Sequence, residues 1–298
     1  MTTAAPRFGF AGLGVMGVPM SRHLLAAGTL TVWNRTASRC DPLVAEGAQR
    51  AASPAEVLDA ADIVGICVLD GKAVREIALG ENGFASASDK AGKVIVDFST
   101  IAPDEAREIA AELAKHGIGW VDAPVSGGVP AAEKASLIVL AGGTEEHVEK
   151  ARPLIDKVSA RMTHLGPSGA GQMAKLCNQM IVANSMMVIA ETIAFGRRAG
   201  VDVTHLADAL KGGFADSLPF QIFGPRMASH TYEPKLGGIG VMLKDLVMAE
   251  KAAQDAGAPT PTSSHTIALY RSVAERAGMS LDDDISSLVE LFDEGRGE

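Results

Sequence analysis

Within residues 1–166, apolar positions gather in short β-rich runs at 7–11, 30–33, 63–68, 94–98, 118–122 and 137–141, with a last near 161–165. Alanine-rich stretches with helical spacing lie between them, and this alternation predicts βα units wound around a parallel sheet. After Gly166 the strand-like runs stop. Long amphipathic segments follow, separated by Gly200, Gly212 and Gly213, Gly237 and Gly238, and Pro259 and Pro261, which predicts a nearly all-helical second half. The first of these helices is expected over residues 168–198, well beyond the usual globular length, as a spine joining an α/β domain (1–166) to an all-α domain (167–298). Residues 180–195 read as a buried helix too short and too polar to span a bilayer.

Composition narrows the partners. With 298 residues, 47% of them hydrophobic, the chain can bury a large core in two domains. A net charge of −9 disfavours nucleic acid and anionic membrane as partners, so an anionic ligand needs local cations. The three cysteines, Cys40, Cys67 and Cys177, are far apart and form no CxxC pair, which fits a reducing cytoplasm. Residues 1–6 show no secretion signal, and residues 293–298 read as a frayed tail. The seven histidines are scattered without HxH, HExxH or a His–carboxylate cluster, so no metal site is expected.

The first run leads straight into Gly12-Leu13-Gly14-Val15-Met16-Gly17 and then a helical pattern from about Val15. That is GxGxxG between strand and helix, the setting in which it binds a dinucleotide in a Rossmann-type doubly wound sheet. Gly12 permits the turn, Gly14 admits the pyrophosphate, Gly17 lets the helix pack closely, and the helix N-terminus offers N–H groups to the phosphates. At the end of the second strand an NAD site usually places Asp or Glu; here stand Asn34, Arg35 and Thr36. With no carboxylate to repel a 2′-phosphate and a guanidinium to hold one, NADP(H) is favoured over NAD(H). The competing reading makes Asn34 a helix cap and Arg35 a solvated charge.

The opening Phe8 to Met20 resembles the start of the β-hydroxyacid dehydrogenase family, which includes 3-hydroxyisobutyrate dehydrogenase and tartronate semialdehyde reductase. Four further motifs follow in that family's order: Asp97-Phe98-Ser99-Thr100 with Pro103, Asp122-Ala123-Pro124-Val125-Ser126-Gly127-Gly128, Gly169 through Lys175 to Asn178, and Lys244-Asp245-Leu246. The resemblance implies an NADP(H)-dependent oxidoreductase moving a hydride between the nicotinamide and a small 3-hydroxy acid or semialdehyde. It implies Lys175 as general acid/base, Asn178 as the amide orienting lysine and substrate, Thr100 and Lys244 as cofactor contacts, Ser126, Gly127 and Gly128 as the substrate-carboxylate site, and Asp245 as support. Its members are usually homodimers or homotetramers.

Helical spacing puts Gly171, Lys175 and Asn178 on one face, a small residue beside the lysine suggesting an opening for substrate. As ammonium, Lys175 can stabilise the developing oxyanion and donate the proton; the reverse direction needs the neutral amine. Bland readings stand beside these. Thr100 caps a helix before Pro103, the glycine pair is an ordinary loop, Lys175 snorkels, Lys244 and Asp245 form an exposed ion pair, and residues 212–217 make a turn with Phe214 in the core. Gln179 stands where many members carry a second asparagine, which leaves its contacts open. Two rivals share the scaffold: an imine reductase, which typically replaces the lysine, and a non-catalytic NADP-binding interaction protein.

Overall fold

The computed structural model describes residues 6–293; the expectations for residues 1–5 and 294–298 lie outside the described residues. The chain divides into two compact units, residues 1–175 and 176–298. In the first, β1 (Arg7–Ala11), β2 (Thr29–Trp33), β3 (Gln49–Arg50), β4 (Ile63–Ile66), β5 (Val94–Asp97) and β6 (Gly119–Asp122) form a sheet ordered β3-β2-β1-β4-β5-β6, with every neighbouring pair parallel. Helices α1 (Gly17–Ala27), α2 (Asp41–Ala45), α3 (Pro54–Ala60), α4 (Gly71–Leu79) and α5 (Pro103–Ala114) make the crossovers. The order reverses beside β1, and ligands of such sheets bind beyond the carboxyl ends of the strands at that point.

Strand alternation builds a core on each face. Phe8 and Phe10 of β1, with Val94 and Val96 of β5, point into one cluster; Val64 and Ile66 of β4, with Ile95 of β5, point into the other. Both faces are covered, which is why these strands read as continuous apolar runs rather than alternating ones.

The last two expected strands do not extend this sheet. After β6, Pro124 and the glycine pair turn the chain so that β7 (Val125–Ser126) pairs antiparallel with β8 (Leu137–Ala141), which runs parallel to β9 (Ser159–His164) in a separate three-stranded sheet. Helices α6 (Gly128–Glu133) and α7 (Glu145–Ile155) lie between these strands in sequence. Two-residue strands such as β3 and β7 are too short to leave a hydrophobic pattern, so neither was foreseen.

The predicted long helix is α8 (Ala170–Arg198), 29 residues that begin in the first unit and continue into the second. Beyond it lie α9 (Leu206–Ala209), α10 (Leu218–Ala228), α11 (Ile239–Asp255) and α12 (Pro261–Ser272). Met186, Ala190 and Ile193 of α8 pack with Phe220, Met227, Leu246, Ile267 and Tyr270 in the second unit's core. The polar Asn184 does not interrupt this packing: its amide donates to Ser263 Oγ (3.0 Å) and accepts from Thr266 Oγ1 (2.6 Å). Residues 180–195, read as a buried helix, supply much of this core. They belong to a helix that, alone among those of the described residues, is long and apolar enough by length and composition to cross a membrane, although half of its apolar window is buried in protein.

Candidate active site

The glycine-rich loop takes the geometry its spacing demands. Gly12 has φ +97°, and a Cβ there would lie 2.3 Å from the Cys67 carbonyl oxygen. A Cβ on Gly17 would lie 1.9 Å from the Gly12 carbonyl oxygen, so only glycine lets α1 start this close to the loop. A Cβ on Gly14 would meet nothing within 4 Å. The loop therefore leaves space at the one glycine where a pyrophosphate must approach, and its residues fit a dinucleotide. Helix α1 starts at Gly17, after a turn at Val15 and Met16, and no side chain caps it. Leu13 is a core residue, and its N–H donates to Asn34 Oδ1 (2.9 Å).

Asn34 does more at the end of β2 than the helix-cap alternative allowed. It holds the glycine loop through Leu13, while its Nδ2 donates to the Thr36 carbonyl (3.0 Å). The next 3₁₀ turn takes Thr36 as its N-cap without a side-chain bond. Arg35 and Thr36 are both exposed beside this tie.

At the carboxyl ends of β5 and β6 the structure assembles a buried polar network that sequence reading missed. Asp97, fully buried, accepts from the Ser99 N–H at 2.9 Å; burial pushes its carboxyl up to about 7, against the opposing hydrogen bonds from Ser99. Its Oδ2 has no hydrogen-bond partner. Ser99 Oγ accepts from the Val68 N–H (3.0 Å), and Thr100 follows, half-buried. Asp122 reaches the start of α8: Oδ1 accepts from the Gly169 N–H (2.8 Å) and Oδ2 from the Gln172 N–H (3.0 Å), while burial raises its pKa above the ordinary carboxylate value, against the opposing backbone hydrogen bonds. This carboxylate satisfies N–H groups at a helix N-terminus that would otherwise be orphaned.

Gly171 overturns one expectation. A Cβ on it would lie 2.4 Å from the Leu140 carbonyl oxygen and 2.5 Å from that of Asp122, so its smallness serves close backbone packing and leaves no opening for substrate. Lys175, one turn further along α8, is 9% exposed. Ser126 is half-buried in β7, and Gly127 (φ +120°) and Gly128 (φ +62°) follow as exposed left-handed residues.

In the second unit, Asn178 Nδ2 donates to Gln179 Oε1 (2.9 Å), and Gln179 Nε2 donates to Asp245 Oδ2 (2.7 Å). Lys244 lies 3.3 Å from Asp245 Oδ1, but Asp245 is nearly buried, so the pair is not the exposed one of the bland reading. Gln179 is thus the link between two motifs, invisible in sequence because its partner is 66 residues away. Phe214 is fully exposed rather than in the core; the turn is held by Asp216, which accepts from Gly212 N (2.7 Å) and Gln221 Nε2 (2.6 Å). The fold also gathers a His–carboxylate group from scattered positions: His230 Nδ1 lies 2.7 Å from Glu290 Oε1, beside Asp293. Arg197 holds Asp293 and Tyr232 holds Glu290, so the group is already tied up as an ion-pair network.

Residues 7–166 match the NAD-binding domain of 6-phosphogluconate dehydrogenase, and residues 169–292 match the domain described as NAD-binding of NADP-dependent 3-hydroxyisobutyrate dehydrogenase. The 2-hydroxy-3-oxopropionate reductase of Escherichia coli K12 is 35% identical over 287 residues, covering 96% of this chain and 97% of that protein. This chain belongs to the β-hydroxyacid dehydrogenase family.

A second member of the family, the NAD-dependent L-serine dehydrogenase of Pseudomonas aeruginosa, is 35% identical over 299 residues, covering 97% of this chain and 98% of its own. Among solved structures, Mycobacterium tuberculosis 3-hydroxyisobutyrate dehydrogenase with L-serine superposes with a TM-score of 0.85 at 30% identity, covering 96% and 98% of the two chains. The protein is accordingly a nicotinamide-dependent oxidoreductase of the β-hydroxyacid dehydrogenase type.

Proposed function

We propose that this dehydrogenase uses NADP(H) to interconvert a small 3-hydroxy acid and its semialdehyde, with Lys175 as the general acid/base. The observation that carries this reading is the nearly buried Lys175, 9% exposed, on a helix start tied to Asp122 at the carboxyl end of β6, in the same unit as the glycine-rich loop. The bound nicotinamide supplies or takes up the hydride. Lys175 manages the proton: as ammonium it stabilises the negative charge growing on the substrate oxygen and donates to it, and as amine it takes the hydroxyl proton in the other direction. Asn178, one turn further on the same helix, orients lysine and substrate.

The N–H groups of Gly14, Val15 and Met16 at the start of α1 take the pyrophosphate, Leu13 being committed to Asn34. Arg35 and Thr36 hold the 2′-phosphate beside the Asn34 tie, where no carboxylate repels it. Thr100 contacts the nicotinamide end, and Lys244 the cofactor. Ser126, Gly127 and Gly128 hold the substrate carboxylate, with Asp245 keeping Gln179 and thereby Asn178 in place. The relatives that reduce 2-hydroxy-3-oxopropionate or oxidise L-serine make these two compounds the first candidates for a substrate panel.

Lys175→Ala is expected to lower kcat by about a hundredfold or more while the Kd for NADPH moves less than threefold; activity retained in that variant would remove the assigned role. NADPH should exceed NADH in kcat/KM, and the reverse order would refute the reading of Asn34 and Arg35. Silence across a panel of small semialdehydes and 3-hydroxy acids, with NADPH still bound, would favour the interaction protein, and turnover of cyclic imines alone would favour the imine reductase.

The three cysteines are free, which supports a reducing cytoplasm. Self-association as a dimer or tetramer is supported by Ile181, Val188 and Phe195, spaced seven residues apart on α8 and 60–71% exposed. Sedimentation of the wild type as a monomer would exclude it.

A further inference from the structure

Gln172 stands outside every motif role assigned above, yet it makes more buried hydrogen bonds than its neighbours in the first turn of α8. Its side chain is fully buried. Its Nε2 donates to the Ser99 carbonyl oxygen at 2.9 Å and its Oε1 accepts from the Ile101 N–H at 3.2 Å, so one primary amide fastens the backbone on both sides of Thr100. Its own N–H donates to Asp122 Oδ2 at 3.0 Å. A side chain that mimics a strand partner in this way fixes the two peptide planes flanking a single residue, and an amide can do so because it carries a donor and an acceptor a fixed distance apart.

Just before Thr100 the same stretch is anchored twice more. The Ser99 N–H donates to Asp97 Oδ1, and Ser99 Oγ accepts from the Val68 N–H. Cys67, the residue before Val68, is the one whose carbonyl oxygen leaves room only for glycine at position 12. Hydrogen bonds and close backbone packing therefore run from the glycine-rich loop, past β4, through residues 99–101 and across Gln172 to α8. Lys175 lies three residues after Gln172, close to one turn along that helix.

We propose that Gln172 is a positioning residue for hydride and proton transfer: its amide locks residues 99–101 to the first turn of α8 and so sets the placement of Thr100 relative to Lys175. This rests on the roles proposed for those two residues. Both side-chain bonds of Gln172 go to backbone atoms of residues 99 and 101, so its effect belongs in kcat rather than in binding. A reacting group displaced by about 1 Å loses roughly a hundredfold in rate, and two lost bonds on a segment this short permit such a shift.

The test compares Gln172→Met, which keeps length and loses both bonds, Gln172→Glu, which keeps the acceptor for Ile101 N–H and loses the donor to Ser99, and Thr100→Val alone and combined with each. Each protein is assayed with NADPH and the substrate that the wild type turns over, at a temperature where circular dichroism shows it folded; NADPH binding is followed by fluorescence. The expected result is a kcat lowered at least tenfold in Gln172→Met and less in Gln172→Glu, with the Kd for NADPH and the substrate KM within threefold of wild type. The combined Thr100 and Gln172 variants should be far less than multiplicative. A kcat within threefold of wild type in both folded Gln172 variants overturns the proposal, as does strict multiplicativity with Thr100→Val. If Gln172→Met does not fold, Gln172→Glu and its double variant decide alone. Lys175→Ala separates the two levels. Turnover surviving in that variant removes the underlying reading, whereas a dead Lys175→Ala beside an unaffected Gln172→Met removes only the positioning role.

Discussion

Two glycine pairs in the first unit stand at helix starts, Gly12 and Gly14 before α1, and Gly169 and Gly171 on either side of the first residue of α8, and the fold treats them in opposite ways. A Cβ on Gly14 would meet open space, whereas one on Gly171 would lie 2.4 Å from a carbonyl oxygen. No side chain caps α1, so its first N–H groups and the positive end of its dipole remain for an outside anion. At α8 an internal anion, the Asp122 carboxylate, already occupies that place. The first helix start is built to receive a ligand and the second to hold a helix still. The difference teaches that a glycine at a helix start signals close approach, without saying whether the approaching group is a ligand or the protein's own backbone.

That contrast can be broken by substitution. The largest effect is expected for Gly171→Ala. Overpacking against two carbonyl oxygens costs about 1–3 kcal/mol, more than the gain of about 1 kcal/mol that alanine brings to a helix interior, and denaturant unfolding should register the net loss. Gly14→Ala should leave the free protein within about 0.5 kcal/mol of wild type, yet weaken NADPH about tenfold or more, a shift of roughly 1.4 kcal/mol in binding. Equal unfolding midpoints for the two variants would erase the comparison. Asp122→Ala removes the cap of α8 and should cost about 1–2 kcal/mol, and kcat should fall with it because Lys175 rides on that helix.

The smallest effect is one of pH. Asp97 holds its proton up to about 7 in the folded protein, while the unfolded chain releases it in the ordinary carboxylate range. Between those values the folded state binds more protons, so this residue's contribution to stability declines as pH rises through the window and is fully lost above about 7. Asp97→Asn removes that decline. Measured against wild type, its melting temperature should therefore look more favourable at pH 8 than at pH 5, and an unchanged difference would contradict the assignment.

Much of the fold was legible because its signals are local. The apolar runs that became β1, β2, β4, β5 and β6 are buried on both faces, and β-rich strands separated by amphipathic helices leave a pattern wherever that happens. Helix α8 was foreseen to within two residues at its start, since no proline and a single glycine, Gly196, fall between Gly171 and Arg198. The separate sheet of β7, β8 and β9 was not, because β7 has only two residues and its pairing depends on a reversal at Pro124 and the glycine pair. In the candidate site, residues within motifs could be named from sequence, but their partners could not. Gln172 meets Ser99 across 73 positions, and Gln179 meets Asp245 across 66. An exposed Phe214 was equally out of reach, because an aromatic residue in a turn carries no mark of which way it points.

The sequence by itself determined the class of protein: a strand, a GxGxxG turn and a helix, a second strand ending without a carboxylate, and a lysine and an amide one helical turn apart. These depend on backbone conformation and spacing over a few residues, which the chain specifies directly. Tertiary structure alone decided what each glycine is for, that Asp122 holds the start of α8, that Asp97 is buried enough to keep a proton near neutrality, and that one amide at Gln172 clamps the backbone around Thr100. Burial and long-range hydrogen bonding are properties of what surrounds a residue, and most of what surrounds these residues lies tens of positions away in the chain.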